Sequence, residues 1–569
     1  MSTGNGEVHS ILASDAEQGV PPEVQSTDPA PSNLKSIGSA ASPRREVDGA
    51  DTATTVLPFS KARCIALVVT VTGASFLNTL TVQAVVIILP TIGDELGIPE
   101  SRLQWVVSAY SLTFGCFLLL WGRMADIFGK RLIFILGSAF AAATLIINPF
   151  LTNEIAFDLF RGLQGIGGAA NVPTAIGILG VTFPPGKAKN FAFSTYAAGA
   201  PLGSVFGNLL GGLIASYANW KWVFGANAIL AVAVTAAGVF LIPPPPPETT
   251  ANKHNKSLAK SVDWFGGILI TLGILALLFA LTEGNVVGWK TVWVYLLIII
   301  GLLLIGIFAA WQWYQEKYTT RPPLMKVSLF SNMEFSVAMV LMALFFSAFN
   351  DFLIYATYFF QDYQDLGPLQ TTLRFIPTGV SGIIVAFIMS HLISRFPTYL
   401  FILFGHLAVA VSCLLFAAPI PPQTSYFAYS FFAMILSVIG ADMIWPSLTL
   451  FVSKSVPNED QALGGALINA CGQIGRAIGL AITTAIQTAV MARERGLSVE
   501  KSGGIEPWDP PSLVGLRAAN WFNFALAVLG AVIVGLTFRG TGIVGKIEKD
   551  PARSSGEEGI ITEESTGKA

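Results

Sequence analysis

Gly122-Arg123-Met124-Ala125-Asp126-Ile127-Phe128-Gly129-Lys130-Arg131 lies between two apolar stretches, roughly 104–121 and 131–151. Each stretch approaches the ~20 apolar residues with which a helix crosses the hydrocarbon core of a bilayer. The segment between them carries Arg123, Lys130 and Arg131 against one acid, Asp126. Such charge belongs in water, so this stretch reads as a short basic connection joining two membrane helices at one surface.

Working outward, the same alternation covers most of the chain. Apolar stretches run roughly 65–89, 104–121, 131–151, 156–183, 191–217, 223–242, 264–281, 291–312, 335–360, 371–394, 398–418, 425–452, 462–491 and 518–538. These are fourteen spans, and an even count places both tails on one side. Composition agrees: of 569 residues, 53% are hydrophobic and 12% charged, about half the charge of a soluble domain. The expected class is an all-α integral membrane protein. A net charge of −2 gives no basic field for nucleic acid. Cys64, Cys116, Cys413 and Cys471 fall within or beside apolar stretches, and no disulfide is expected.

Lys and Arg in short loops set orientation. The loops after spans 2, 4, 6, 8, 10 and 12 hold Arg123, Lys130 and Arg131; Lys187 and Lys189; Lys253, Lys256 and Lys260; Lys317, Arg321 and Lys326; Arg395; and Lys454. The loop after span 1 has Asp94, Glu95 and Glu100 against Arg102, and the loop after span 9 has Asp362 and Asp365. Both termini are therefore expected in the cytoplasm. Arg493 and Arg495 after span 13 are the weak case. The sequon at Asn255 falls in a loop expected to be cytoplasmic, so it should carry no glycan. Pro243–Pro247 ends span 6, and Arg321-Pro322-Pro323 marks another break. The expected organisation is a disordered tail 1–60, a six-helix bundle 61–243, linkers with an inserted helix pair 244–333, a second six-helix bundle 334–540, and a disordered tail 541–569.

The segment from Gly122 to Arg131 resembles the signature loop of the major facilitator superfamily, G-x-x-x-D-x-x-G-[RK]-[RK]. Read physically it is a latch: Gly122 lets helices approach, Asp126 can meet a helix N-terminus or an Arg, and Arg123, Lys130 and Arg131 bridge the surface, with Gly129 at the turn. The same charges also suit an ordinary topology signal. Span 4 holds Arg161-Gly-Leu-Gln164-Gly165-Ile-Gly167-Gly168, similar to the family's R-x-x-Q-G-x-G. An Arg inside a bilayer costs several kcal/mol and should face a partner or a wet cavity. Span 5 has Gly199, Gly203, Gly207, Gly211 and Gly212. This resembles the antiporter motif G-x-x-x-G-P-x-x-G-G, with Asn208 in place of its proline, and it equally suits plain helix packing. Trp220-Lys221-Trp222-x-Phe224 resembles the family's W-R-W-x-F and reads as an interface anchor.

The span count, Asp263-Trp264-x-Gly266 and Pro323-Leu324 extend the resemblance to the fourteen-spanner drug/proton antiporter family, and the text from Leu77 to Pro90 and from Tyr110 to Arg131 to its fungal, aminotriazole-resistance-like branch. The resemblance implies two six-helix bundles with an inserted pair, a midplane substrate site and alternating access. It also implies an acid in span 1, within a D-x-T. Thr81 and Gln83 stand there instead. Asn78 and Thr81 share a face and suit hydrogen bonding to substrate, but neither titrates near neutral pH.

Two other acids are therefore proton-coupling candidates. Asp351 lies within span 9, with Ser347, Tyr355 and Tyr358 on its face; Asp442 lies within span 12, one turn before Pro446. An intramembrane carboxylate is a functional candidate by default. Arg161 and Arg476 are expected to tune them, Arg476 sharing a face with Asn469, Gly472 and Gln473. A silent structural pair is the competing reading. Asn78, Thr81, Gln83, Gln164, Tyr355 and Asn469 are the candidate cavity residues. His406 reads as a hydrogen-bonded core residue. Gly540-Thr-Gly-Ile-Val-Gly545-Lys546-Ile547 falls short of a P-loop, since Ile replaces Ser/Thr and no strand precedes it.

The expected function is export of a small organic compound (a drug, toxin or secondary metabolite) driven by protons, from a monomer in the lipid bilayer of the plasma membrane or, alternatively, the vacuole. No cofactor, metal or catalytic constellation is expected. The alternative is a uniporter or importer of a small polar solute such as ammonium or borate. A nutrient sensor would need longer structured extensions than these tails.

Overall fold

The computed structural model describes residues 59–98, 105–184, 186–244, 262–319 and 323–543. The expected tails 1–60 and 541–569 lie largely, and the Asn255 sequon wholly, outside them, as does the second half of the P-loop-like segment. Fourteen helices long and apolar enough to cross a membrane occur among the described residues. They are α1 (Lys61–Leu96), α2 (Trp105–Phe128), α3 (Lys130–Ile147), α4 (Glu154–Thr182), α5 (Lys187–Tyr217), α6 (Lys221–Leu241) and α7 (Trp264–Val287), then α8 (Val292–Tyr318), α9 (Met333–Tyr358), α10 (Pro368–Leu392), α11 (Thr398–Ala417), α12 (Ser430–Ser455), α13 (Gln461–Arg495) and α14 (Pro510–Thr537).

Local chemistry accounts for the ends. Ser60, Asn153, Asp263, Asn332 and Asp509 cap α1, α4, α7, α9 and α14, each side chain accepting a backbone N–H of the first turn, which satisfies donors the helix leaves open. Gly97 (φ 65°) and Gly496 (φ 67°) end α1 and α13 in the left-handed region, where glycine alone is unstrained. α1 runs beyond the expected boundary near 89 because the apolar pattern stops before the backbone does. Arg495, the awkward cation after span 13, is held within its own loop by Asp509 at 2.5 Å and Ser512 at 2.9 Å.

The first six helices form one group, with α1 against α5, α2 against α4, and α3 against α4 and α6. The last six form another, with α9 against α13 and α14, and α11 against α12 and α14. The groups meet along a seam of α5 on α10 and α12, and of α13 on α2 and α4. α7 lies against both α2 and α13, and α8 packs on α7. α8 exposes Leu296, Ile299, Leu302, Leu303 and Ile307, an apolar side suited to lipid. Lipid tails give helices no hydrophobic reason to associate, so close packing has to hold them. The α5 glycine stripe serves that contact. A Cβ on Gly207 or Gly211 would come 2.6 Å from Leu80 O or 2.7 Å from Ala84 O of α1.

Candidate functional site

At the face bearing the basic even-numbered loops, α2 is pinned to α13 across the seam. Asp126 accepts the backbone N–H of Ala462 at 3.2 Å and of Leu463 at 2.8 Å, the free donors of the α13 N-terminus. Lys130 pairs with the same carboxylate at 2.8 Å. Arg123 reaches Asp460 at 3.0 Å, and Lys326, from the linker before α9, reaches its other oxygen at 2.7 Å. A Cβ on Gly122 would lie 2.5 Å from Ala466 Cβ and 3.0 Å from Ala462 O, so only glycine admits this approach. Gly129 takes φ +106° between α2 and α3. Arg131 turns away and donates to Val239 O of α6 at 2.7 Å. Asp460 was not singled out from the sequence, since its partners Lys326 and Arg123 lie 134 and 337 residues away and no local pattern marks it.

Within the first bundle, Arg161 is fully buried. It donates through Nε to Val106 O at 2.9 Å and through Nη1 to Gln164 Oε1 at 2.7 Å, and stacks 5.2 Å above the Tyr110 ring. Tyr110 donates to Asn78 at 3.4 Å, and Asn78 to Gly168 O at 3.4 Å. Asn78, Thr81, Tyr110, Ser138, Gln164 and Asn171 line a cavity of about 10 Å³, room for roughly one water. Asn78, Thr81 and Gln164 are thus brought together. Gln83 is not among them; it donates to Ser204 of α5 at 3.0 Å.

In the second bundle Asp351 is fully buried, and its Oδ2 accepts the Thr483 hydroxyl at 3.0 Å. Thr483 also lies 3.1 Å from Asn523 Oδ1 on α14. One hydroxyl has one proton, so it serves one of these acceptors at a time. Gly479 leaves the space that lets Asp351 and Ser347 approach α13: a Cβ there would collide with Ser347 Oγ and lie 2.9 Å from Asp351 Oδ2. Arg476 is within electrostatic reach of Asp351 and stacks 5.3 Å from Phe346. Tyr355 donates to Thr484 at 3.3 Å. Asn469 instead bonds Gly465 O of its own helix at 2.8 Å. Thr483 and Asn523 escaped sequence reading because Thr and Asn are ordinary in packed membrane helices. His406 is buried, its Nδ1 2.8 Å from Ile402 O.

Asp442 has different neighbours. It is 2% exposed, with Oδ2 unpartnered. A Cβ on Gly382 of α10 would lie 3.5 Å from that oxygen and 3.7 Å from Pro201 Cβ of α5, which puts the carboxylate beside the seam. Trp445, one turn on, packs 5.9 Å from Tyr196 of α5. In α5, Gly203, Gly207 and Gly211 press against α1, whereas a Cβ on Gly212 would, among the described residues, meet α1 only at Ile87, 3.9 Å away. The Asn208 side chain lies outside the described residues. Glu95 anchors the start of α6, bonding Lys221 at 2.9 Å and Trp220 at 2.5 Å. These two donors hold its carboxyl below the usual glutamate value.

Comparison with known proteins fits this geometry. Residues 71–480 match the model of the Major Facilitator Superfamily. The chain is 33% identical over 452 residues to a protein of Saccharomyces cerevisiae named low affinity ammonium transporter, covering 78% of this chain and 82% of that one. It is 29% identical to efflux pump terJ of Aspergillus terreus, covering 84% and 88%. Among solved structures, the proton:xylose symporter XylE superposes with a TM-score of 0.61 at 14% identity, over 86% of this chain and 98% of that one, a likeness of fold. With the family model matched over most of the helical region and the signature loop latching α2 to α13, the chain belongs to the Major Facilitator Superfamily.

Proposed function

We propose that this protein is a secondary active transporter that exports small organic compounds in exchange for protons, with Asp351 as the proton carrier. One observation carries the reading: a fully buried acid in α9 is held by a hydroxyl on α13 and lies within reach of Arg476. Loading or removing a proton there changes the charge inside a low-dielectric bundle, where such changes count most. Arg476 is the residue that feels it. The terJ relative, named as an efflux pump, supports the direction.

Substrate would enter between bundles 61–243 and 334–540, which rock about the seam. The latch of Asp126, Arg123 and Asp460 closes the cytoplasmic face, and both termini lie on that side of the plasma membrane. The protein works as a monomer, without cofactor or metal. A second reading is facilitated movement of a small polar solute. The relative named as an ammonium transporter and the absence of an acid at Thr81 favour it.

The test is efflux and uptake of a panel of radiolabelled toxic compounds by cells carrying wild type or Asp351→Asn, with and without a protonophore. Efflux that collapses with the protonophore and with the substitution supports antiport through Asp351. Transport that survives both sinks it and leaves facilitated diffusion.

A further inference from the structure

We propose that Thr483 is a positioning residue that reads the proton on Asp351 and passes its state to Asn523 of α14. Its hydroxyl donates to Asp351 when the carboxylate is empty and to Asn523 when it is loaded. The inference rests on Asp351 as the proton carrier and adds the group that senses the proton.

Three oxygens from three helices meet in one buried place. Thr483 Oγ1 of α13 lies 3.0 Å from Asp351 Oδ2 of α9 and 3.1 Å from Asn523 Oδ1 of α14. All three residues are 0% exposed. A hydroxyl brings one proton and two lone pairs. With Asp351 ionised, both flanking oxygens are acceptors that compete for that proton. The carboxylate wins, because hydrogen bonds to a charged group are the stronger ones. Asn523 Oδ1 then loses its donor, which is costly in a buried site. With a proton on Asp351 Oδ2 the line is complete: Asp351 donates to Thr483, and Thr483 donates to Asn523. The covalent change is the O–H bond formed on Oδ2. The Thr483 hydroxyl keeps its own proton and turns about its C–O bond.

Asn523 Nδ2 has no hydrogen-bond partner among the described residues, so the carbonyl is what ties this amide to α13. The titratable groups within electrostatic reach of Asp351 are Arg476 on α13, Cys413 on α11, and Tyr355 and Tyr358 on its own helix. Asp442 of α12 lies beside α10 instead. Arg517 of α14 donates to Ile420 O at 2.6 Å. What α14 offers the carboxyl is therefore an amide, through Thr483. Because α14 packs on α9, α11 and α13, a bond to it made in the loaded state tightens the bundle around the carrier, and emptying the carrier loosens it.

Infrared difference spectra of purified protein in nanodiscs, recorded across pH in heavy water, test this with protons as the sole ligand. The Asp351 signal is the carboxyl C=O band that Asp351→Asn lacks. Thr483→Val removes the donor to the carboxylate, so the carboxyl should hold its proton on the order of tenfold more tightly, a shift of about one pH unit toward alkaline. Asn523→Leu frees the hydroxyl for the carboxylate, so its shift should be of similar size and opposite sign. Thr483→Ser keeps a hydroxyl and should titrate like wild type. In the double variant Thr483→Val, Asn523→Leu the Asn523 effect should vanish, because its path to Asp351 is gone. If Thr483→Val fails to fold, Asn523→Leu decides alone, since an isolated Asp351–Thr483 bond predicts no shift from α14. An Asn523→Leu titration that matches wild type, or an Asn523 effect that persists without Thr483, overturns the relay and leaves Asp351 as the carrier. A spectrum with no carboxyl band lost in Asp351→Asn overturns the carrier reading and the relay with it.

Discussion

Two adjacent glycines in α5 allow packing to be separated from everything else. Gly211→Ala puts a Cβ 2.7 Å from Ala84 O and 3.1 Å from Ala84 Cα of α1; the same change at Gly212 meets, among the described residues, only Ile87 Cγ2 at 3.9 Å. Ordinary carbon contacts begin near ~3.5 Å, so α1 and α5 must separate by roughly 1 Å in the first variant and not at all in the second. Alanine is favoured over glycine within a helix by about 1 kcal/mol, and that gain is common to both. Their difference therefore isolates the steric cost, which for overpacking is about 1–3 kcal/mol. Gly212→Ala should be neutral or slightly stabilised, and Gly211→Ala should unfold at a lower temperature and lose transport. Unfolding can be followed with a thiol-reactive dye, because Cys64, Cys116 and Cys413 are buried in the fold. If Gly212→Ala abolishes transport while leaving stability intact, this glycine pair acts in the transport cycle, and the assignment of the motif to packing is wrong.

Arg123 is buried where Lys326 is 39% exposed, so Arg123→Ala should open the latch far more than Lys326→Ala. A distance measured between spin labels on the loops after α2 and before α13 reads the difference. Gly479→Ala should push Ser347 and Asp351 off α13, giving a folded protein whose efflux no longer responds to a protonophore. Glu95→Gln tests pH. The Lys221 and Trp220 bonds depress the Glu95 carboxyl below its ordinary 4.5, so its stabilisation is present above the unfolded value and is lost as pH falls through the folded one. The variant should melt slightly below wild type at neutral pH, with the gap closing in acid. Because the side chain is 42% exposed, high salt should shrink the gap as well.

The fold was legible because membrane helices announce themselves locally: twenty apolar residues are a span wherever they occur. The latch was half legible. Asp126 stands in a recognisable loop, and a carboxylate near a helix N-terminus is a general preference. Asp460 and Lys326 were not, because their pairing is set by tertiary placement across more than 130 residues. The cavity residues divided for the same reason. Asn78, Thr81 and Gln164 converge, whereas Gln83, two positions from Thr81, points to α5. Helical spacing says which residues share a face, but which neighbour that face meets depends on how the bundle closes.

Asp351 and Asp442 make the point most sharply. As sequence they are equivalent, each a lone acid in an apolar helix, and only their neighbours divide them into an enclosed acid and a seam acid. What must connect such sites to bundle motion is a rigid element touching both, and α13 meets that requirement. Its first turn is held by Asp126, while Gly479 and Thr483 further along meet Asp351 and Arg476 lies within its electrostatic reach. Ala462 and Thr483 lie roughly 30 Å apart along the axis at 1.5 Å per residue. The 35-residue helix between Gln461 and Arg495 contains no proline to absorb a tilt. If Asp351 carries the proton as proposed, a change in how α13 sits against it would reach the latch as a displacement of the helix end, where Asp126 accepts the backbone N–H groups of Ala462 and Leu463.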